Sequence, residues 1–357
     1  MPSETTERKR SHITTVLHRN VQAHVSTGFD DVSLVHNALP ELDREEIDLS
    51  CELFGRRLGA PVIIESMTGG TPMAVKINAG LSKIAEELRI PMGVGSQRAA
   101  IDDPKLAYTF QVARENAPSA LLLANLGCPQ ILKEDGIERA KAAVEMIKAD
   151  ALLIHLNALQ ESVQFEGQTR FRGALGRIRE LSSTLSVPVI AKETGAGISR
   201  ETAVMVEQAG VKGIDVAGLG GTSWAAVEYY RAREKRRSRQ AHLGHAFWDW
   251  GIPTAASIVE VAKSTRVKLV ASGGVRNGLH IAKSIALGAH YGGLAMPLLK
   301  SVAKNDNEAK ENLLSVIDEL RTAMFLTGSK NLDQLRKCPV TIMGKTREWL
   351  LARGLLS

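Results

Sequence analysis

Eight short apolar segments recur along the chain, each running into Gly, Ser, Asn or Thr and then into a helical pattern. They are VIIESM (62–67), PMGVGS (91–96), ALLLANL (120–126), ALLIHLN (151–157), VPVIAKE (187–193), GIDVAG (213–218), KLVASGG (268–274) and YGGLAMP (291–297). Between them, apolar residues return every three or four positions in AVKINAGLSKIAEELR (74–89), GIERAKAAVEMIKA (136–149), SRETAVMVEQAG (199–210) and HIAKSIALGA (280–289). Gly210 and Gly288 stand where glycine closes a helix just before the next strand. Successive segments start 29, 29, 31, 36, 26, 55 and 23 residues apart, and most of these spacings match one βα unit. Near-continuous apolar strands alternating with helices mean a parallel sheet covered by helices. Eight such units predict an α/β chain folded as a (β/α)8 TIM barrel, with an open doubly wound sheet as the lesser alternative.

The remaining segments read as additions to that barrel. Residues 1–60 form an N-terminal arm and a hairpin, EIDLSCELFGRRL (46–58), with Phe54-Gly55 near its turn and a shape suited to plugging the barrel's N-terminal end. Residues 308–357 read as a slightly basic helical extension, so that 1–357 is one domain. The 55-residue interval holds RAREKRRSR (231–239) and AHLGHAFWDWGIPTA (241–255), and reads as an enlarged active-face loop or lid.

With 45 Lys+Arg against 39 Asp+Glu, the excess of 6 positive charges suits an anionic partner, either nucleic acid or a phosphorylated small molecule. Residues 231–239 carry much of it, as a solvated face or as a polyanion site. No aromatic interrupts that run, so stacking on single strands has little support. Three separated cysteines, Cys51, Cys128 and Cys338, fit reduced thiols. No apolar run reaches the ~20 residues of a membrane helix, and MPSETTERKR lacks the apolar core of a secretory signal. The expectation is a cytoplasmic protein with no membrane partner.

In a barrel, chemistry gathers at the C-terminal ends of the strands, and polar residues fall there repeatedly. Ser66-Met67-Thr68-Gly69-Gly70 follows the first strand and Gly95-Ser96-Gln97-Arg98 the second. Asn125 ends the third, and the fourth carries His155 and Asn157 with Gln160 and Glu161 beyond. SGGVRNG (272–278), with Ala295-Met296 after the eighth strand, has the make-up of a phosphate cradle, or else of a tight turn that binds nothing. Lys192 is either paired with a barrel carboxylate, Glu193 for example, or a fixed cation beside a cofactor ring such as reduced flavin. His155 and Asn157 project to one face of a strand. With Gln160 and Glu161 they form a site for Mg²⁺ that takes further ligands from substrate phosphates, or a buried hydrogen-bonded network. Arg8-Lys9-Arg10-Ser11-His12 reads by itself as a solvated end.

Taken in order, MTGG (67–70), GSQR (95–98), H-x-N-x-x-Q-E (155–161), KETGAG (192–197), GGTSW (220–224) and SGGVRNG (272–278) resemble the FMN-dependent type 2 isopentenyl-diphosphate isomerases, which are built on a (β/α)8 barrel. Arg8, Lys9 and His12 fit that family's RKxxH arrangement. The resemblance implies that FMN is held by Met67, Thr68, Gly69, Ser96, Asn125, Lys192, Thr222, Gly274, Val275, Arg276, Ala295 and Met296. It implies that a diphosphate substrate is gripped by Arg8, Lys9, His12, Arg98, His155 and Asn157, with Ser96 and Gln97 close by. Gln160 would lie beside the reacting carbons, and Gln160, Lys192 and His155 would be the catalytic set. Glu161 would bind Mg²⁺, and NADH or NADPH would serve only to reduce FMN. The arm would then owe its order to its ligand, and the protein would be a homo-oligomer, a tetramer or octamer. Met296 departs from the Gly of many relatives. The nearest competing reading is a 2-hydroxyacid-oxidising flavoenzyme with His242 or His245 as base. An IMP-dehydrogenase-like enzyme is weaker, because GGTSW lacks a nucleophilic Cys. A basic nucleic-acid binder resting on 231–239 is the reading without catalysis.

Overall fold

The computed structural model describes residues 4–356, so Met1–Ser3 of the opening segment considered above as a leader lie outside it. The eight apolar segments form the strands β1 (Val62–Ile64), β2 (Met92–Gly93), β3 (Leu122–Gly127), β4 (Ala151–His155), β5 (Val189–Lys192), β6 (Gly213–Asp215), β7 (Lys268–Ala271) and β8 (Tyr291–Leu294). All pair in parallel with their sequence neighbours, and β8 returns to β1 through Gly292↔Val62, Gly293↔Ile63 and Leu294↔Ile64, which closes a TIM barrel.

The two-residue period of a strand accounts for the packing. Ile63, Leu123, Leu153, Ile190 and Val270 fill the barrel's interior, whereas their neighbours Val62, Leu122, Leu152, Val189 and Leu269 pack outward against the helices. Both sets are buried, so no polar alternation marks these strands. The helices begin where short polar side chains can accept an orphan N–H. Thr71 caps Pro72–Leu88, Ser199 caps Arg200–Gln208 and Asn277 caps Gly278–Ala286. Gly210 (φ 94°) and Gly288 (φ 112°) turn the chain out of two of them.

The hairpin Cys51–Leu53/Arg56–Leu58 pairs antiparallel, with both turn residues, Phe54 (φ 50°) and Gly55 (φ 77°), in the left-handed region that a two-residue hairpin loop requires. Leu53 and Leu58 join the interior cluster beside Leu121, Ala151 and Tyr291, at the N-terminal end of the strands. That end is closed, and a ligand enters from the other.

Two expectations gain detail. The long interval after β6, read above as an enlarged loop or lid, contains a helical hairpin, Trp224–Glu234 and Ser238–Ala246, followed by the helix Thr254–Ala262 that covers the barrel. Gly244 lets the two hairpin helices cross closely, since a Cβ there would lie 2.8 Å from the Ala225 carbonyl oxygen. The basic run is split by this packing. Arg231 turns inward, 3% exposed, while Arg233, Lys235, Arg236, Arg237 and Arg239 face solvent. The C-terminal extension is helical over Asp306–Leu326, Leu332–Arg336 and Gly344–Ala352, but it also holds a strand, Val340–Ile342, paired antiparallel with Val32–Leu34. Three residues whose partner lies in the N-terminal extension leave no local pattern to read. Among the described residues no helix is long and apolar enough to cross a membrane.

Leu53→Ala empties part of the apolar plug at the closed end of the barrel. It should lower unfolding stability by about 2–5 kcal/mol, read as a lower urea midpoint. The polar end of the barrel should keep its ligand affinity.

Candidate active site

Because all eight strands run the same way, their last residues meet at one rim. Over that rim lies a cavity of about 250 Å³. Its lining includes Arg8, Lys9 and His12 from the arm, Met67, Thr68, Gly69, Ser96, Arg98, Asn125, His155, Asn157, Gln160, Glu161, Lys192, Thr222, Gly274, Val275, Arg276, Ala295 and Met296. Of the cofactor, substrate and metal residues that the resemblance implies, Gln97 alone is not brought in. Its side chain is fully buried behind β3, donating to the Ala143 carbonyl (2.8 Å) and accepting from the Asn125 N–H (2.9 Å), so it shapes the rim without facing a ligand.

Five buried polar atoms without a partner belong to residues of this lining, Arg8 Nε, Glu65 Oε1, Ser66 Oγ, Thr68 Oγ1 and Asn157 Oδ1, while Arg98 Nε has only the Asp102 carboxylate at 3.5 Å. Unpaired groups of this kind each cost on the order of 1–3 kcal/mol, and their concentration in one cavity marks the place of a polar ligand.

Lys192, at the end of β5, is 7% exposed. Glu193 is not its partner: that carboxylate turns away and accepts the N–H groups of Thr194 (2.5 Å), Gly195 (2.6 Å) and Ala196 (2.6 Å). The ammonium instead meets Glu65 from the end of β1 (2.7 Å) and its register partner Asp215 from the end of β6. Ser272 donates to Asp215 Oδ1 from beyond β7. Lys192 is therefore both ion-paired and a wall of the cavity. The two carboxylates hold it above the usual lysine range against the opposing effect of burial. Sequence reading missed Glu65 and Asp215 because strands far apart in the chain bring them to one layer.

His155 Nδ1 lies 2.8 Å from Asn125 Oδ1. Burial, helped by the charges of Lys192, Lys9 and Arg8, pushes its imidazole down to about 3, so the ring is neutral. Nδ1–H then donates to Asn125, and Nε2 is left as an acceptor. Asn157 donates to Glu161 Oε1 (3.0 Å) while its own Oδ1 is free. Among the described residues no group of three or more His, Cys, Asp or Glu could hold a metal. The Glu161 carboxylate and Asn157 Oδ1 suit a hard cation that completes its shell from a ligand's oxygens and water.

SGGVRNG forms an open glycine turn whose backbone could hold a phosphate. Gly273 (φ 90°) and Gly274 (φ 74°) are left-handed, and a Cβ on Gly274 would stand 2.3 Å from Thr27 Cγ2 and 2.7 Å from the Gly220 oxygen. Helix Met296–Lys304 opens beside it with the free N–H groups of its first turn. Gln22, which sequence reading did not single out, donates to Met296 Sδ (3.0 Å) and accepts from Arg276 Nη2 (2.6 Å). These donors, the Arg276 charge and the unpartnered Ser66 and Thr68 hydroxyls fit FMN.

The arm is a helix, Glu4–His18, packed on the rest of the chain. Ile13 and Val16 are buried under it, three residues apart on one face. His12 Nε2 meets Glu228 Oε1 (2.8 Å), its ring edge-on to Trp224. Glu228 also binds Arg231, which reaches Glu166 (2.8 Å). Gln164, with its amide oriented to suit both neighbours, links Glu228 Oε1 (3.3 Å) to Arg8 Nη1 (3.2 Å). Lys9 donates to the Ser96 carbonyl. Burial, Arg8 and Arg98 push Lys9 down to about 7. His242 and His245, the bases required by the oxidising alternative, are exposed on the outer helix of the hairpin and do not line the cavity.

Residues 132–341 match the FMN-dependent dehydrogenase family. The chain is 51% identical over 354 residues to an isopentenyl-diphosphate delta-isomerase of Thermococcus onnurineus, covering 97% of this chain and 94% of that one. It is 48% identical over 348 residues to one of Methanothermobacter thermautotrophicus, covering 98% and 96%. In fold alone it is similar to a lactate oxidase of Pediococcus acidilactici (TM-score 0.67, 15% identity, 96% and 93% covered) and a flavocytochrome b2 variant (TM-score 0.70, 17% identity, 97% and 88% covered). Fold, cradle and family match together define an FMN-dependent barrel flavoprotein. The identities make the family specific: the chain belongs to the isopentenyl-diphosphate delta-isomerases, of the FMN-dependent type 2, and is an isomerase.

Gly274→Ala forces a methyl group against Thr27 and Gly220 in a left-handed backbone. The purified variant should carry at least tenfold less flavin, about 1.4 kcal/mol, measured by absorbance after denaturation.

Proposed function

We propose that this isomerase converts isopentenyl diphosphate to dimethylallyl diphosphate by adding a proton at one carbon and removing one from another, without net redox change. What supports the reading above all is a cavity with two polar ends: the cations Arg8, Lys9 and Arg98 on the arm side, and Lys192 with its carboxylates at the strand ends. Bound in its reduced form, FMN supplies the acid and base that side chains lack for an unactivated alkene, with NADH or NADPH needed only to reduce it.

The protein's own groups position and screen. Met67, Thr68, Gly69, Ser96, Asn125, Thr222, Gly274, Val275, Arg276, Ala295 and Met296 would hold the flavin, and Lys192 would lie against its ring. Arg8, Lys9 and Arg98 grip the diphosphate, so binding energy remote from the reacting carbons fixes a chain that offers little else to recognise. His12 keeps the arm on Glu228, and Ser96 anchors Lys9. His155 and Asn157 complete the anion site. Since His155 Nε2 is an acceptor, gripping an anion requires a proton that arrives with it. Glu161 and Asn157 Oδ1 would hold Mg²⁺ against the diphosphate, and Gln160 stands beside them on the same short helix, Ala158–Val163. The exposed basic residues of 231–239 lack stacking partners within the run, which favours a small-molecule substrate over nucleic acid. We infer a cytoplasmic homo-oligomer, tetramer or octamer, whose size light scattering would give.

An anaerobic assay with isopentenyl diphosphate, FMN, Mg²⁺ and dithionite tests the reaction. Product should form without stoichiometric loss of reductant, and Lys192→Ala should lower kcat at least tenfold, about 1.4 kcal/mol. A reaction that consumes reductant mole for mole would sink the reading.

Lys9 adds a pH signature. In the free enzyme it is charged below about 7 and neutral above it. The neutral amine must regain a proton to pair with a diphosphate. kcat/KM should therefore fall as pH rises through about 7, with kcat unaffected by this group. Lys9→Arg, which does not titrate in this range, should flatten that limb.

A further inference from the structure

Lys192 faces two carboxylates with one positive charge. With both ionised, Lys192, Asp215 and Glu65 together carry a net negative charge, in a layer where Asp215 is 2% and Glu65 5% exposed. Such a charge is costly to bury, and more so beneath a ring that itself becomes negative. A proton on one carboxylate removes it.

The geometry distinguishes the two acids. Both oxygens of Asp215 are engaged, Oδ2 by Lys192 and Oδ1 by the Ser272 hydroxyl and the Ala217 N–H (3.3 Å). Glu65 binds Lys192 through Oε2 (2.7 Å) and its carboxyl lies within hydrogen-bonding reach of Asp215, while its Oε1 has no partner of its own. That oxygen lies over the bare backbone of Gly293, where a Cβ would come within 1.9 Å of it. Beneath the triad a second cavity, about 10 Å³ and so the room of one water, is lined by Glu65, Ser66, Asp215 and Lys268 among apolar side chains. Lys268, on the far wall of this cavity, is exposed at the closed end of the barrel. The titratable groups facing Glu65 are Lys192 and Asp215, with Lys268 across the small cavity. Burial, and after it the Asp215 charge, hold Glu65 above the usual carboxylate range even against Lys192.

We propose that Glu65 is a proton-holding residue that sets the charge under the bound flavin: its carboxylate takes a proton from solvent when the ring is reduced and anionic, and returns it when the ring is oxidised. The proton adds to the free Oε1, no electron moves in the protein, and the electrons on the ring are those of the reductant. The proposal rests on FMN lying over Lys192. It makes Glu65 a positioning residue that acts through Lys192, keeping the layer beneath an anionic ring neutral.

Calorimetry of the full-length apoprotein decides it. Oxidised FMN and dithionite-reduced FMN are titrated anaerobically at pH 8, where free reduced FMN is already anionic, in two buffers of unequal ionisation heat. Reduced FMN should take up about one proton more than oxidised FMN, and the ratio of their affinities should change up to tenfold per pH unit. In Glu65→Gln the extra proton and the pH dependence should both vanish, while reduced FMN still binds; Glu65→Asp, which keeps a carboxyl, should restore them. Equal proton counts in the unmodified protein overturn the proposal, as does an extra proton that persists in Glu65→Gln. Failure of either flavin to bind would instead defeat the underlying FMN reading, and this proposal with it.

Discussion

The pairing of β8 with β1 is the contact on which the rest depends. Without Gly292↔Val62 and its two neighbours, eight parallel strands would form an open sheet whose end residues fan apart. Closure turns the same residues inward. Glu65, Lys192 and Asp215, which end or follow β1, β5 and β6, become direct neighbours, and Ser272 joins them from β7. It also fixes which end is open, because the Leu53–Leu58 hairpin fills the other. Chemistry and scaffold thus share one geometric cause.

Within the cavity, charge is separated by origin. The arm brings cations, and burial weakens their hold on their protons, as at Lys9. The barrel brings an ammonium whose field is largely spent on two carboxylates. On the reading proposed above, one end attracts a mobile anion and the other controls the charge around a bound ring. Glu228 joins the arm to the helical hairpin through His12 and Arg231, so the anion site is assembled from three separate parts of the chain.

Much of this was legible in the sequence, for reasons that differ by residue. The strands could be read because burial on both faces leaves uninterrupted apolar runs, and the helices because Thr71, Ser199, Asn277, Gly210 and Gly288 mark their ends. Polar residues at strand ends located the cavity. Lys192 was found, but its partners were not: Glu193 is adjacent in sequence yet turns to backbone N–H groups, and the true partners come from β1 and β6. Gln97 failed for a related reason, since its place in a polar motif says nothing of which side of β3 it faces. Ile13 and Val16 carried a helical signal that the surrounding charge concealed. The strand Val340–Ile342 carried none, because its order comes from Val32–Leu34.

That last pairing has a bearing on biogenesis. During translation, Val32–Leu34 emerges early and offers an unsatisfied edge until Ile342 has been added. The stretch after the arm stays unclasped until then, because its partner follows the last strand of the barrel. A nascent chain stalled before that point would present a sticky ribbon next to a half-built pocket, a form that chaperones would have reason to guard.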